Sequence, residues 1–309
     1  MGTLIDKPLS YPAAAPNIRL GLRRSPAYKA VSKVLGLTLN LPRHVALTRL
    51  LETAGVLDRR HFYRGMRYRY LRRYYLGGGF AIADRLQVAI EHYEYVGRHF
   101  QQGFLTACRR HGLVLWSQTQ DELKLNIVLR FPYAYNYDGD LCLSLDVNGE
   151  SVYVMTFSIA PGEVVRAAES RVLLISAIQG IAGRIEQIRR VTELFNNVAP
   201  THMLLMAAEA LSAALGIQAM VGMGQSHMVA PPGEQGRSQF DYDAFWGAMA
   251  GNTDSGDFYR MPLPFADKPI ELIAAKHRSR ARKRRELRDT LRNDIVLQSH
   301  DRLSRDCLR

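Results

Sequence analysis

From Leu123 onward the hydrophobic residues recur every second position, and this change of period constrains the fold more than any other feature of the 309 residues. Successive side chains of a strand point to opposite faces, so alternation marks a segment with one face buried. Leu123–Arg130 alternates. In the next segment Leu141, Leu143, Leu145 and Val147 share one face. Asn148-Gly149 follows, a dipeptide that favours a tight hairpin turn because both residues accept positive φ. Ser151–Ile159 is then the return strand. Asp138-Gly139 and Pro161-Gly162 read as turns. Arg171–Ile178 is a β-branched apolar run suited to a buried strand.

The flanks carry the helical period. Ser25 is an N-cap for a helix opened by Pro26. Leu41–Ala54 reads as a second helix, Phe80–Gln101 as a third and Gly103–His111 as a fourth, closed by Gly112. After Gln179-Gly180 a helix spans roughly Gly183–Asn196. Another spans Thr201–Leu215, and Ile217–Met223 is a short buried strand. Tyr242–Met249 is a short helix, Phe258–Phe265 is extended, and Pro269–Leu291 is a long basic helix. The fold class is α+β (α/β): a mostly helical N-terminal region, then a mixed sheet with flanking helices and a basic C-terminal helix. The expected organisation is a basic arm at 1–24, helices at 25–115, an α/β domain at 116–292 and a tail at 293–309.

Lys and Arg number 41 and Asp and Glu 29, for a formal net charge of +12. The charge is unevenly spread. Residues 1–75 carry +12 (15 basic, 3 acidic), 76–275 carry −7 (14 and 21), and 276–309 carry +7 (12 and 5). An acidic body is thus flanked by two basic ends, which argues against a uniformly basic nucleic-acid-binding domain. Cys108, Cys142 and Cys307 are scattered and odd in number, so neither a disulfide framework nor a zinc site is expected. With no secretory signal pattern and no long apolar stretch, the chain is expected to be cytoplasmic.

Several groups carry chemistry. Arg59, Arg60, Arg64, Arg67, Arg69, Arg72 and Arg73 alternate with tyrosines, and Arg280, Arg282, Lys283, Arg284 and Arg285 form a second cluster. Both could meet phosphates of nucleic acid or anionic lipid heads. The plain alternatives are a solvated helix and a tail that docks on the acidic body. Gln179, Gly180, Gly183 and Arg184 lie between an apolar strand and a helix, where free backbone amides can cradle a phosphate. Ser226-His227 with Asp241 and Asp243 supplies the residue types of a nucleophile, a base and an orienter. His92-Tyr93 sits on a helix. Asp138, Asp140 and Asp146 are carboxylates a metal could use, but Asp138-Gly139-Asp140 is more simply turn chemistry and no EF-hand spacing follows, so no metal site is assigned.

In order along the chain, several short blocks resemble the VirK/YbjX family of bacterial proteins. They are Ile90-Glu91-His92-Tyr93, Asp138-Gly139-Asp140-Leu141-Cys142-Leu143, Tyr153-Val154-Met155-Thr156-Phe157, Ile178-Gln179-Gly180, Tyr242-Asp243-Ala244-Phe245-Trp246 and Phe258-Tyr259-Arg260-Met261-Pro262. Ala199-Pro200-Thr201 departs from the Arg-Pro-Lys usual there. The resemblance implies an accessory protein of cell-envelope maintenance and virulence, tied to surface-protein display and antimicrobial-peptide resistance. Its partner would be an anionic membrane surface or an envelope protein, met at the inner membrane face. The order strand, Gln-Gly, helix, strand, Tyr-x-x-x-Trp also resembles the GNAT-type acyltransferases. That likeness implies acyl-CoA as co-substrate, with Gln179, Gly180, Gly183 and Arg184 at its pyrophosphate and Tyr242 or His227 moving protons. Nucleic-acid binding through the basic ends is a third expectation.

Overall fold

The computed structural model describes residues 26–57, 65–72, 74–132, 138–228, 240–250 and 257–300. The chain up to Leu41 and the chain from Pro42 form two separate compact units. The first holds helix α1, Pro26–Leu39. Four of its apolar residues, Val31, Val34, Leu35 and Leu39, are exposed.

The second unit is built on one seven-stranded sheet. Among the described residues, helices α2 (Leu41–Thr53), α3 (Ile82–His99) and α4 (Phe104–Arg110) come first, with a 3-10 turn at Met66–Leu71 between α2 and α3. Strands β1 (Leu113–Gln120), β2 (Leu123–Arg130), β3 (Leu141–Val147), β4 (Glu150–Pro161) and β5 (Arg171–Gly180) follow as an antiparallel meander. Helices α5 (Ile185–Leu194) and α6 (Pro200–Ala214) cross over to β6 (Ala219–Met223), which runs parallel to β5. Helix α7 (Tyr242–Ala250) leads to the antiparallel edge strand β7 (Phe258–Pro262), and α8 (Ala275–His300) ends the described chain. Strand order equals sequence order.

The alternating segments become β2 to β5 as their period dictates. Val147 pairs with Glu150, and the turn between them holds Asn148 at φ 51° and Gly149 at φ 84°. Both left-handed values are those a two-residue hairpin turn needs. β3 is buried at all seven positions, so layers cover both of its faces. Helix α6 packs along β3 to β6 and α3 packs on β4. Twelve of the fifteen α6 residues are buried, which fits a helix apolar on most of its circumference. Helix α8 lies on α6 and β1, seated by buried Leu291 and Ile295.

Two segments differ from the sequence reading. β1 lies where only the end of the helical region was expected. Its buried positions are Leu113, Leu115 and Trp116, and a bulge between Val114 and Trp116 interrupts the two-residue period. The last helix begins at Ala275, not Pro269, because Ile270–Leu272 forms its own 3-10 turn. Arg278 closes this bend by donating to the carbonyls of Ile273 (2.9 Å) and Glu271 (3.0 Å).

Strands β5 and β6 pair only through Leu173–Ile175 with Met220–Gly222, although β5 runs on to Gly180. They therefore part beyond Ile175, and α7 fills the opening. Its Trp246 is fully buried against Gly222, where a Cβ would overlap the indole, and Nε1 donates to the Met223 carbonyl at 2.9 Å. Gly222→Ala is expected to push this indole out of place and cost about 1–3 kcal/mol, as overpacking does. Chemical denaturation would read the loss, with Gly247→Ala, which meets nothing within 4 Å, as the unaffected control.

Candidate functional site

The Asp138-Gly139-Asp140 turn enters β3, and the two aspartates face different surroundings. Asp140 is buried. Its carboxylate accepts from the Tyr75 hydroxyl (2.7 Å) and the Ser158 hydroxyl (2.6 Å), and ion-pairs with Arg69 at 3.4 Å. Arg69 also donates to the Gly139 carbonyl, and its guanidinium lies 4.8 Å from the Tyr75 ring centroid. A charge taken this far from water persists only with such partners. Arg69 is thus 3% exposed, which corrects the reading of this residue as a surface cation. The 3-10 turn points it inward, away from any lipid or phosphate.

The loop after Tyr75 is tied to the same centre. Leu76 donates to the Asp138 carbonyl (3.2 Å) and Gly78 to the His227 carbonyl (2.9 Å). Gly77 sits at φ +76°, and a Cβ there would strike the His227 carbonyl, so this close crossing requires glycine.

His92 and Tyr93 lie on α3 beside the ion pair. Nδ1 of His92 accepts from the Ile159 amide at 3.1 Å, which leaves the proton on Nε2, buried without a hydrogen-bond partner among the described residues. Burial holds the His92 pKa below its usual value, with Asp140 opposing. Burial, reinforced by Asp140, pushes Tyr93 and Tyr75 well above 10. These groups keep their protons and behave as a structural polar core.

Asp138 is only partly buried, and burial raises its pKa to about 6 against the pull of Arg69. It acts electrostatically on Tyr242, the first residue of α7. The Tyr242 hydroxyl donates to the Ile178 carbonyl (3.1 Å) and accepts from the Ile178 amide (3.2 Å). Burial raises Tyr242 to about 12. A carboxyl raised to about 6 and a strongly protonated phenol are therefore coupled electrostatically, the phenol lying where β5 and β6 part. That is the pairing of base and acid that proton-transfer chemistry needs. It also lies at the carboxyl ends of the parallel strands, where ligands of such sheets bind.

The other sequence candidates lie elsewhere. Ser226 donates to Asp257 (2.8 Å), Asp243 accepts from the Gln225 amide (2.8 Å), and Asp241 caps α7 through the Ala244 amide (2.9 Å). No nucleophile–base–orienter chain forms. His227 is buried between Phe80 and Phe258, with ring centroids at 5.3 and 4.6 Å, and burial lowers its pKa. It borders a cavity of about 290 Å³ with Asp84, Arg166 and Asp257. Among the described residues no hydrogen bond or ring contact joins it to Tyr242.

Gln179 and Gly180 are exposed at the end of β5, and Gly183 is exposed in the turn before α5. Arg184 ion-pairs with Glu150 at 2.5 Å, and Glu186 stands in the first turn of α5. Two carboxylates thus offset the positive helix end that an anion would seek. Cys108 and Cys142 are buried, and burial pushes the Cys142 thiol up to about 12. Cys307 lies outside the described residues.

The basic clusters divide. Arg59, Arg60, Arg64 and Arg73 lie outside the described residues. Arg67 stacks over Tyr68 at 5.3 Å, and Arg72 is exposed. On α8, Arg285 pairs with Asp267 at 3.3 Å and Arg288 pairs with the same carboxylate, so this part of the tail folds back on the acidic body. Lys283 donates to Asn196 at 3.0 Å, while Arg280, Arg282 and Arg284 are exposed.

Two outcomes follow. Arg69→Met leaves the Asp140 charge buried and is expected to cost about 3–5 kcal/mol in urea unfolding. Adding Asp140→Leu to it recovers part of that loss. Asp138→Asn acts in the opposite sense. The folded pKa of about 6 lies above the ordinary 3.8, so protonation of Asp138 stabilises the native state at low pH. That contribution is lost as pH rises through about 6. The variant should therefore melt higher than the parent at pH 7.5, with the difference vanishing at acidic pH. Paired thermal melts across pH measure it and cancel the contributions of His92 and His227, which fade as pH falls below 6.5.

Residues 64–296 match a family described as a protein of unknown function, DUF535. The uncharacterized protein YbjX of Escherichia coli K12 is 27% identical over 132 residues, spanning 41% of this chain and 40% of that protein. An uncharacterized protein of Haemophilus influenzae is 27% identical over 228 residues, spanning 70% of this chain and 69% of that one. No solved structure gives a significant match. The match runs from just before the Arg69 turn to near the end of α8 and takes in both aspartates and Tyr242. The chain accordingly belongs to the DUF535 family, that of the YbjX and VirK proteins.

Proposed function

We propose that this protein serves bacterial cell-envelope maintenance and virulence, and that its chemical step is acyl transfer from a thioester bound where β5 and β6 part. The envelope role rests on the VirK/YbjX resemblance. The chemical reading rests on one observation: the Tyr242 hydroxyl occupies both hydrogen-bonding groups of Ile178 in that opening. A strand edge with a free amide and carbonyl takes up an extended ligand through its own amides. The pantetheine arm of acyl-CoA has such amides. On binding it would take over the Ile178 groups and leave the phenol beside the thioester sulfur.

The step balances with residues already present and solvent. Asp138, mostly ionised above pH 6, accepts the proton of the attacking amine or hydroxyl. The nucleophile's bond to the acyl carbon forms as the C–S bond breaks. The departing thiolate is held by a hydrogen bond from the Tyr242 phenol and takes its proton from solvent, and the proton on Asp138 returns to solvent. Tyr242 with a pKa of about 12 is a weak acid toward water but suits a group that must stay protonated while sulfur leaves.

The Arg184–Glu150 pair bears on the donor. With that arginine engaged, the turn at Gln179–Arg184 adds little for the pyrophosphate. Calorimetry should thus find acyl-CoA and acyl-pantetheine bound within about tenfold of each other. Tyr242→Phe should keep donor binding but lower turnover, and activity should rise with pH through about 6 in the parent and lose that step in Asp138→Asn. Absence of binding for both donors at millimolar concentration would reject the chemical reading. The envelope role is tested apart from it: loss of the protein should sensitise its bacterium to cationic antimicrobial peptides, and unchanged sensitivity would count against that role.

A further inference from the structure

We infer that α1 is an interfacial anchor that lies on an anionic lipid surface. Val31, Val34, Leu35 and Leu39 are 57, 63, 54 and 80% exposed. Their spacing of i, i+3, i+4 and i+8 places them along one stripe of the helix. Leu41, at the end of the same compact unit, is 50% exposed and extends the apolar surface. A stripe of this kind left in water marks a contact surface.

Charge selects the partner. Between Lys7 and Leu51 the sequence carries eight Lys and Arg and no Asp or Glu. A second copy of the segment would bring like charges together, so self-association through this stripe is opposed. A nucleic-acid backbone would answer the cations but leave the stripe in water. An anionic lipid surface answers both, since its headgroups meet the cations and the hydrocarbon behind them takes the apolar side chains.

Length fixes the mode. Fourteen residues make a helix of about 21 Å, against about 30 Å of bilayer hydrocarbon. No helix among the described residues is long and apolar enough to cross a membrane. The helix would thus lie in the interface plane. This placement stands on α1 alone and is independent of the chemistry at Tyr242.

The test is flotation of the full chain with lipid-only vesicles at ~0.15 M salt, where the Debye length is about 8 Å. Phosphatidylglycerol-containing vesicles should carry at least about tenfold more protein than neutral phosphatidylcholine vesicles, the excess falling as salt rises. Val34→Asp with Leu35→Asp should abolish flotation, and Lys33→Glu should reduce it several-fold. These side chains are exposed, so unchanged thermal melting will show that the fold survives. Equal binding to neutral vesicles, or flotation retained by the double variant, would overturn the inference. So would a dimer in light scattering that the double variant dissociates while lipid binding is absent.

Discussion

The buried ion pair between Arg69 and Asp140 is the contact on which the arrangement of the second unit turns. Asp140 stands at the entrance of β3, the strand buried along its whole length. Arg69 arrives from a 3-10 turn 71 residues earlier. Neither charge is tolerable in that interior without the other, and Tyr75, Ser158 and the Gly139 carbonyl complete the shell. A buried pair of this kind is weak evidence for net stability, because apolar residues of similar volume do as well or better. What it supplies is register. It fixes the segment before α3 against one end of the sheet, and through Leu76 and Gly78 it positions both the Asp138 turn and the His227 loop.

The fold was legible wherever a single face was buried. Alternation in β2, β3 and β4 and the Asn148-Gly149 turn stated the meander directly, and the Gln179-Gly180 break announced the crossover. β1 was hidden because its bulge puts Leu115 and Trp116 inside together, which breaks the two-residue period. The site was less legible. An Arg-Tyr run reads as a solvated face, since charge runs usually are. Only the third dimension shows that Arg69 turns inward while Arg72 stays exposed. The available signal lay at the other partner: an aspartate leading into a mostly apolar strand needs a cation to meet it once that strand is buried.

Asp138 and Asp140 show how two residues apart becomes two different chemistries. Both were read as turn residues, and both do form the turn. Asp140 is enclosed by donors that fix its charge in place. Among the described residues Asp138 has burial without equivalent donors, so its proton affinity rises to about 6. The same contrast of a satisfied and an unsatisfied carboxyl separates structural from reactive groups in many sites. It gives a reason, independent of any resemblance, to look for chemistry at the Asp138 side of the turn rather than at the buried pair.

The charge layout acquires a geometry as well. Of the two basic ends, the second is partly consumed by the molecule itself, through Asp267 on Arg285 and Arg288. Of the first, Arg69 is consumed by Asp140, while the cations from Lys7 to Arg49 precede and flank a helix whose apolar stripe faces out. Salt bridges to one's own surface require acidic residues within a few ångströms, and none occurs in sequence around α1 from Lys7 to Leu51. An excess of charge that the chain does not neutralise locally is left for something else to neutralise. When the same surface also exposes hydrocarbon, that partner must be both anionic and apolar at the scale of one helix, which is the description of a lipid interface.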